Sequence, residues 1–306
     1  MKSNKNFKNL VLGTAQFGLD YGINNPNGKP PIKKTIEMLK YAWDSGITIF
    51  DTAESYGNAE QILGEFIKGN NLSNKIKIVS KLMPNLFSGN ENAEYVLRII
   101  KSEIKKSLKK LNISKLYGFL LHTPENIYNK NIVDALIACK NAGLIENFGV
   151  SIYEEKDALY ASKLPVDFIQ IPYSVFDQRL NKTNFFKICK KNKVTVFARS
   201  AFLQGLIMMD EQNIPHYLKE AKIYLKKFKK IIKKYDLSMP AAALLFSYNK
   251  TGVDYVVFGV DNLQQLKENL EIIKKNKVNK NYLNDTLNEF LNIKKSIIFP
   301  SLWKKK

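Results

Sequence analysis

The chain has 306 residues, 45% of them apolar, enough to bury a sizeable core; that is long for an ordinary domain but normal for a single (β/α)8 barrel of typically about 250 residues with insertions. Its 48 basic and 28 acidic residues give a formal charge of +20, which raises a nucleic-acid reading. The lysines, however, are spread over helix faces and the tail, with no zinc-ligand spacing, RNP-like segment or arginine-rich arm, so nucleic acid is set aside as a partner.

The opening MKSNKNFKNL is polar and lacks the apolar core of a signal peptide. No apolar run approaches the roughly 18 residues of a membrane span. The chain therefore reads as cytoplasmic, with no stable membrane insertion. The first strand is expected at Leu10–Gly13, followed by a loop through Tyr21–Pro31 and a helix over Ile32–Ser45, where Ile36, Leu39, Ala42 and Trp43 share a face and Gly46 closes the element. Strands follow at Thr48–Asp51 and Ile76–Lys81, with a helix at Ala59–Lys68 between them. The helix Ala93–Leu111 carries the stripe Val96, Ile99, Ile100, Ile104 and Leu108. Next come a strand at Leu116–His122, a helix at Ile132–Ala142, a strand at Asn147–Ser151, a helix at Lys156–Ser162, a strand at Phe168–Ile171, a helix at Phe185–Lys191 and a strand at Val194–Ala198. A Lys-rich amphipathic helix over Ile223–Tyr235 and a second helix at Met239–Tyr248 precede the last strand, Asp254–Phe258, and the helix Leu263–Lys275. One more helix, Asn279–Lys294, leads into the tail SIIFPSLWKKK.

Most of the strands are near-continuous apolar runs, as strands buried on both faces should be. Eight strands with helical crossovers indicate a parallel sheet. A doubly wound sheet is the competitor, but LGTAQFGLDYG after the first strand does not match the GxGxxG fingerprint. The expectation is an α/β chain folded as one (β/α)8 TIM barrel over about residues 8–276, with an extra C-terminal helix and tail over 277–306, all in a single domain. Cys139 and Cys189 fall inside helical patterns and read as buried thiols rather than a disulfide or metal pair.

Four polar residues stand at or just beyond strand ends, where barrels place catalytic groups. They are Asp51 and Tyr56 in TIFDTAESYG, Lys81 in IKIVSKL and His122 in LYGFLLHT. Taken singly, an Asp after a strand caps a turn, a Tyr before Gly packs a loop, and a lone His is structural. Together they form an acid/base set. A phenol has a reference pKa of about 10; a nearby ammonium lowers it and a carboxylate holds that ammonium, while an imidazole can orient a substrate oxygen. In this order and in these contexts the four residues resemble the catalytic tetrad of the aldo/keto reductases, and the resemblance extends from LVLGTAQFG to QQLKENL. It implies that Tyr56 donates the proton to a substrate carbonyl as hydride arrives from a nicotinamide cofactor, that Lys81 paired with Asp51 lowers the Tyr56 pKa, and that His122 orients the carbonyl, with no metal required.

The resemblance also implies cofactor positions. Gly13 and Thr14 match the first loop, near the nicotinamide ribose. Ser151 in FGVSIY and Gln170 in FIQIPYS match carboxamide partners, although Ile152 stands where the family commonly has Asn. Arg199 in VFARSAFLQGL takes the place of an aromatic residue that stacks on nicotinamide, a role a planar guanidinium can also fill. Ser200 through Gly205 match the pyrophosphate loop; Gln265, Glu268 and Asn269 match adenine contacts. In the loop Gly259, Val260, Asp261 and Asn262, the family's NADP-preferring members place Lys, Ser or Arg. NADP(H) is the family default, but Asp261 opposes a 2′-phosphate and leaves NAD(H) open, with Lys267 nearby. The head LGTAQFGLDYGI resembles members associated with surface-polysaccharide pathways, implying a small-molecule carbonyl substrate such as a keto-sugar or nucleotide-sugar. Pocket shape is expected from the loops Phe17–Tyr21, Met83–Asn92 and Tyr173–Arg179 and from the tail, whose Ile297, Ile298, Phe299, Leu302 and Trp303 suit either a pocket cover or a subunit contact, or a membrane-surface foot ending in Lys304–Lys306. A monomer and a homo-oligomer both remain open. The alternative from another functional class is a non-catalytic nicotinamide-binding barrel serving as a sensor or regulatory subunit.

Overall fold

Eight short, largely apolar runs pair in sequence order, all parallel, and the last returns to the first, closing a barrel. The computed structural model describes residues 7–275 and 278–303. Its strands are β1 (Leu10–Gly13), β2 (Ile49–Asp51), β3 (Lys77–Lys81), β4 (Leu116–Leu121), β5 (Ile145–Ser151), β6 (Phe168–Pro172), β7 (Thr195–Arg199) and β8 (Tyr255–Phe258). The helices are α1 (Ala15–Gly18), α2 (Ile32–Asp44), α3 (Ala59–Gly69), α4 (Ala93–Leu111), α5 (Lys130–Asn141), α6 (Glu155–Ala161), α7 (Phe185–Asn192), α8 (Ala221–Lys234), α9 (Met239–Tyr248), α10 (Leu263–Lys275), α11 (Lys280–Phe290) and α12 (Lys295–Ile298). This is the expected (β/α)8 barrel, with every expected strand present and its ends shifted by two residues at most.

Two apolar layers explain why the runs lack alternation. Inside the barrel, Val11, Ile49, Val79, Leu120, Phe168, Phe197 and Val257 fill the lumen. Outside it, a larger shell packs the sheet against the helices, including Ile62, Phe66, Ile100, Ile104 and Leu136. Capping fixes the helices locally. The Asn92 side chain accepts from the Tyr95 amide at the start of α4, and Asn112 ends that helix in the left-handed region at φ 54°. The α5 helix begins two residues earlier than the apolar stripe suggests because Asn129 caps it.

The C-terminal helix departs from expectation. The stretch expected as Asn279–Lys294 stops at Phe290, and a separate turn, α12, follows. Phe290 packs on Phe176 and Phe228. In one continuous helix Phe299 would lie on the opposite face from Phe290, so the break lets both bury. Both cysteines are buried free thiols, and burial pushes Cys139 up to about 11 and Cys189 up to about 12. Among the described residues no helix is long and apolar enough to cross a membrane, and no group of three or more His, Cys, Asp or Glu side chains could hold a metal ion. The basic end Lys304–Lys306, read above as the head of a membrane-surface foot, lies outside the described residues, as does the expected junction of barrel and tail at 276–277.

Candidate active site

Strand register brings the polar residues to one end of the barrel. Gly13 pairs with Asp51, Lys81 with Leu120, Ser151 with Gln170, and Pro172 with Arg199, each at the C-terminal end of its strands. His122 follows β4 by one residue, and Tyr56 sits in the turn after β2, its amide donating to the Ala53 carbonyl at 3.0 Å. That turn is held from the side by α1. A Cβ on Gly18 would overlap the Tyr56 carbonyl oxygen, so only glycine lets the two segments meet.

Asp51 is the hub. The Lys81 Nζ donates to Asp51 Oδ1 at 2.6 Å and to the Thr52 carbonyl at 2.8 Å. Gln170 Nε2 donates to Asp51 Oδ2 at 2.7 Å, and the Ser151 hydroxyl donates to Gln170 Oε1 at 3.4 Å. The hydroxyl of buried Thr14 donates to the Asp51 carbonyl at 3.0 Å. Lys81 lies beneath the cavity floor, 1% exposed, with its ammonium 4.8 Å from the centre of the Tyr56 ring. Burial pulls the Lys81 ammonium below the ordinary lysine range, and Asp51 acts in the opposite sense.

Burial, and then the Asp51 carboxylate, push the Tyr56 phenol well above the usual tyrosine range, with Arg199 pulling it down. Asp51 and the Thr52 carbonyl hold the Lys81 ammonium at the Tyr56 ring. The phenol is held protonated, as a proton donor must be. His122 meets Tyr56 edge-on, with ring centres 5.9 Å apart. Burial and then the positive charges of Lys81 and Arg199 push the imidazole down to about 3, so it is neutral at ordinary pH.

A cavity of about 880 Å³ opens above this cluster. Of the residues singled out in the sequence, Gly13, Thr14, Asp51, Tyr56, His122, Ser151, Gln170, Arg199, Ser200, Gly205, Gly259, Asp261, Gln265, Glu268 and Asn269 line it. Val260 does not: it is a core side chain, 1% exposed, and presents at most backbone. Arg199 stacks on Tyr153 at 4.6 Å and donates to Ser151 Oγ, Ser200 Oγ and the Ile152 carbonyl. Ser200, Leu203, Gln204 and Gly205 all have positive φ (68°, 48°, 53° and 91°). Left-handed non-glycine residues cost about 1–3 kcal/mol each and cluster at ligand clamps, and successive amides in such turns form anion-binding hollows. This loop suits the pyrophosphate that the resemblance implies. The first loop closes over it: Ile23 N donates to the Gln204 carbonyl at 2.9 Å, and a Cβ on Gly205 would come within 2.8 Å of Asn24 Cβ.

At the far end Asp261 is fixed rather than free. Its backbone amide donates to Gln265 Oε1 at 2.8 Å, and Gln265 Nε2 donates to its carboxylate at 3.3 Å. Burial raises the Asp261 carboxyl above its usual value, against hydrogen bonds from Gln265 and Gln16. Lys267 lies over the Tyr41 ring at 5.5 Å and is not part of the cavity wall.

Sequence reasoning placed the cluster but missed much of the wall. Tyr21, Asn24, Asn25 and Tyr153 line the cavity, and of these only Tyr21 lay in a loop expected to shape it; Gln204, also in the wall, lies within the expected Ser200–Gly205 loop. No residue of Met83–Asn92 or Tyr173–Arg179 lines it. Arg179 works indirectly, donating to the Tyr153 carbonyl at 3.0 Å, pairing with Asp177 and Glu155, and stacking on Phe299 at 4.3 Å. The tail joins the wall through Pro300, Ser301 and Trp303, with Trp303 Nε1 donating to the Ile297 carbonyl at 3.2 Å. Of its apolar residues only Leu302 remains exposed.

A sequence model described as the Aldo/keto reductase family matches residues 9–286. The chain belongs to the aldo/keto reductase family. It is an NAD(P)-dependent oxidoreductase, and the sensor reading gives way to a catalytic one. Among characterised relatives, this reductase is 24% identical to pyridoxal 4-dehydrogenase of Microbacterium luteolum, over 85% of this chain and 88% of that protein. It is 23% identical to D-arabinose 1-dehydrogenase of Saccharomyces cerevisiae, over 87% and 84%. A 27% match to the aldo-keto reductase YhdN of Bacillus subtilis spans 57% of this chain and 54% of that protein, so this alignment reaches only about half of the relative's length. Among solved structures, the holo form of aldo-keto reductase AKR11C1 from Bacillus halodurans superposes with a TM-score of 0.74 at 19% identity, covering 95% of each chain, a likeness of fold.

Proposed function

We propose that this aldo/keto reductase reduces the carbonyl group of a small, sugar-like aldehyde or ketone, with Tyr56 as the proton donor. The observation that carries the reading is the convergence of Tyr56, His122 and Asp51 in the wall of one cavity, with Lys81 paired to Asp51 just beneath it. When bound, a reduced nicotinamide would supply the hydride. Gly13, Thr14, Ser151, Gln170 and Arg199 would hold the nicotinamide end. Ser200 through Gly205 would hold the pyrophosphate, and Gln265, Glu268 and Asn269 would hold the adenine end.

Within the site, the protonated phenol of Tyr56 hydrogen-bonds the substrate oxygen and transfers its proton as negative charge develops there. The neutral imidazole of His122 orients the same oxygen. Lys81 and Arg199 place positive charge near the forming phenolate, where it stabilises the product of proton transfer more than the reactant. Gln170 and Ser151 pair with the Asp51 network, and the carboxamide partners proposed for them must share those bonds.

For cofactor choice we favour NAD(H) over NADP(H). The fixed Asp261 carboxylate is an acceptor for a ribose hydroxyl and repels a phosphate, and Lys267 is turned away toward Tyr41. For the substrate, support comes from the aromatic and amide lining (Tyr21, Asn24, Tyr153, Trp303) and from relatives named for D-arabinose and for L-glyceraldehyde 3-phosphate. The reading treats the chain as one domain acting in the cytoplasm. A panel of aldehydes and keto-sugars, offered with NADH and with NADPH and followed by loss of nicotinamide absorbance, tests it. Turnover of polyhydroxylated carbonyls, faster with NADH, is expected; turnover confined to apolar aldehydes contradicts the substrate class.

A further inference from the structure

A neutral imidazole carries one N–H and one bare nitrogen, and a carbonyl oxygen can only accept. His122 can therefore hydrogen-bond a substrate oxygen only when the proton sits on the nitrogen facing the cavity. Which nitrogen carries it is set by what the other one contacts. The Ser55 hydroxyl lies 3.3 Å from His122 Nδ1. Among the described residues that is the hydroxyl's one side-chain hydrogen bond. His122 is also kept neutral by its surroundings, since burial, Lys81 and Arg199 all oppose its protonation.

Ser55 is well placed to hold the ring. It precedes Tyr56 in the turn closed by the Tyr56 amide and the Ala53 carbonyl, and Lys81 anchors the start of that turn through the Thr52 carbonyl. The segment that carries the phenol therefore also carries the group that contacts the imidazole. The two rings meet edge-on, so a fixed imidazole orientation also fixes the space between them.

We propose that Ser55 is a positioning residue: its hydroxyl donates to His122 Nδ1, keeps the imidazole proton on Nε2, and so makes Nε2 the hydrogen-bond donor to the substrate carbonyl. This rests on the reading that the carbonyl is reduced between Tyr56 and His122. The chain has two histidines, and His216 is exposed in a turn away from the cavity, so His216→Gln leaves His122 as the single imidazole signal in a nitrogen-15 NMR spectrum.

In that background, near pH 7.5, His122 is expected as the Nε2–H tautomer. Ser55→Ala should turn it to the Nδ1–H form or to a mixture, and Ser55→Thr should restore it. Turnover in Ser55→Ala should fall on the order of ten-fold or more, as when the group orienting a functional histidine is removed, with KM changed less and with rescue by Ser55→Thr. Circular dichroism of each variant checks that the barrel is folded. A Nδ1–H tautomer in the parent, or a tautomer unchanged by Ser55→Ala, overturns the proposal. The spectrum is independent of chemistry, so failure of the underlying reading is seen separately: His122→Gln would then retain near-normal turnover although the tautomer still depends on Ser55.

Discussion

Replacing Lys81 by Met removes the cation at the centre of the site while keeping most of the side-chain volume. Lys81 and Asp51 expose 1% and 6% of their side chains, with 2.6 Å between Nζ and Oδ1. After the change, the Asp51 side chain retains the donor Gln170 Nε2 at 2.7 Å, and the Thr52 carbonyl loses the Lys81 ammonium. Breaking a buried pair from one side typically costs about 3–5 kcal/mol, which in a chain of this size corresponds to a fall in melting temperature of roughly 5–15 °C. The loss should depend on pH. Burial without a counter-ion disfavours a charged carboxylate, so the variant is expected to lose stability, relative to wild type, as pH rises. Guanidinium unfolding of wild type and variant at pH 5 and pH 8 measures this, with the larger gap expected at pH 8. The double variant Asp51→Asn with Lys81→Met, which leaves no unpaired charge, should recover much of the loss. A single-variant penalty below about 1 kcal/mol at both pH values would refute the argument that Asp51 depends on Lys81.

Two further outcomes follow from other parts of the chain. Asp261→Ser should tighten NADPH relative to NADH by about ten-fold or more, since a carboxylate against a phosphate is worth about 1 kcal/mol per charge pair even at the dielectric of bulk water, and Asp261→Arg should do so further; dissociation constants at one ionic strength decide it, and an unchanged ratio in Asp261→Arg removes this loop from cofactor selection. Glu60 is buried behind the Tyr56 turn, accepts from Ser80 Oγ at 2.6 Å, and is pushed by burial up to about 7. Its folded-state pKa exceeds the unfolded one, so its contribution is complete below about pH 4.5 and is lost as pH rises through about 7. Glu60→Gln keeps an acceptor for Ser80 and removes the titration, so its melting temperature should change less between pH 5 and pH 8 than that of wild type; parallel profiles would contradict this.

The barrel was legible because its strands are buried on both faces and separated by helices with clear apolar stripes. The catalytic cluster was legible because a barrel presents strand ends at one face, which makes Asp51, Lys81 and His122 neighbours despite their separation in sequence. What escaped depends on side-chain direction and loop path. Nothing in the sequence around Lys267 tells that its side chain turns to Tyr41. The tail's apolar residues suited several roles until the break after Phe290 carried Trp303 to the cavity. The wall formed by Asn24, Asn25 and Tyr153 arises where separate loops meet, Tyr153 being held by Arg179 from the next loop, and spacing along the chain carries no record of such meetings.

The central claim is that Tyr56 delivers the proton, and single-turnover reduction by Tyr56→Phe tests it most directly. The substitution removes one oxygen and leaves the ring that packs against Lys81 and His122. Measured with a carbonyl substrate that wild type turns over, at saturating reduced cofactor and alongside the dissociation constant for that cofactor, the variant should bind the cofactor nearly as wild type does and react roughly 10²–10⁴-fold more slowly. A near-normal rate with normal cofactor binding would contradict the account.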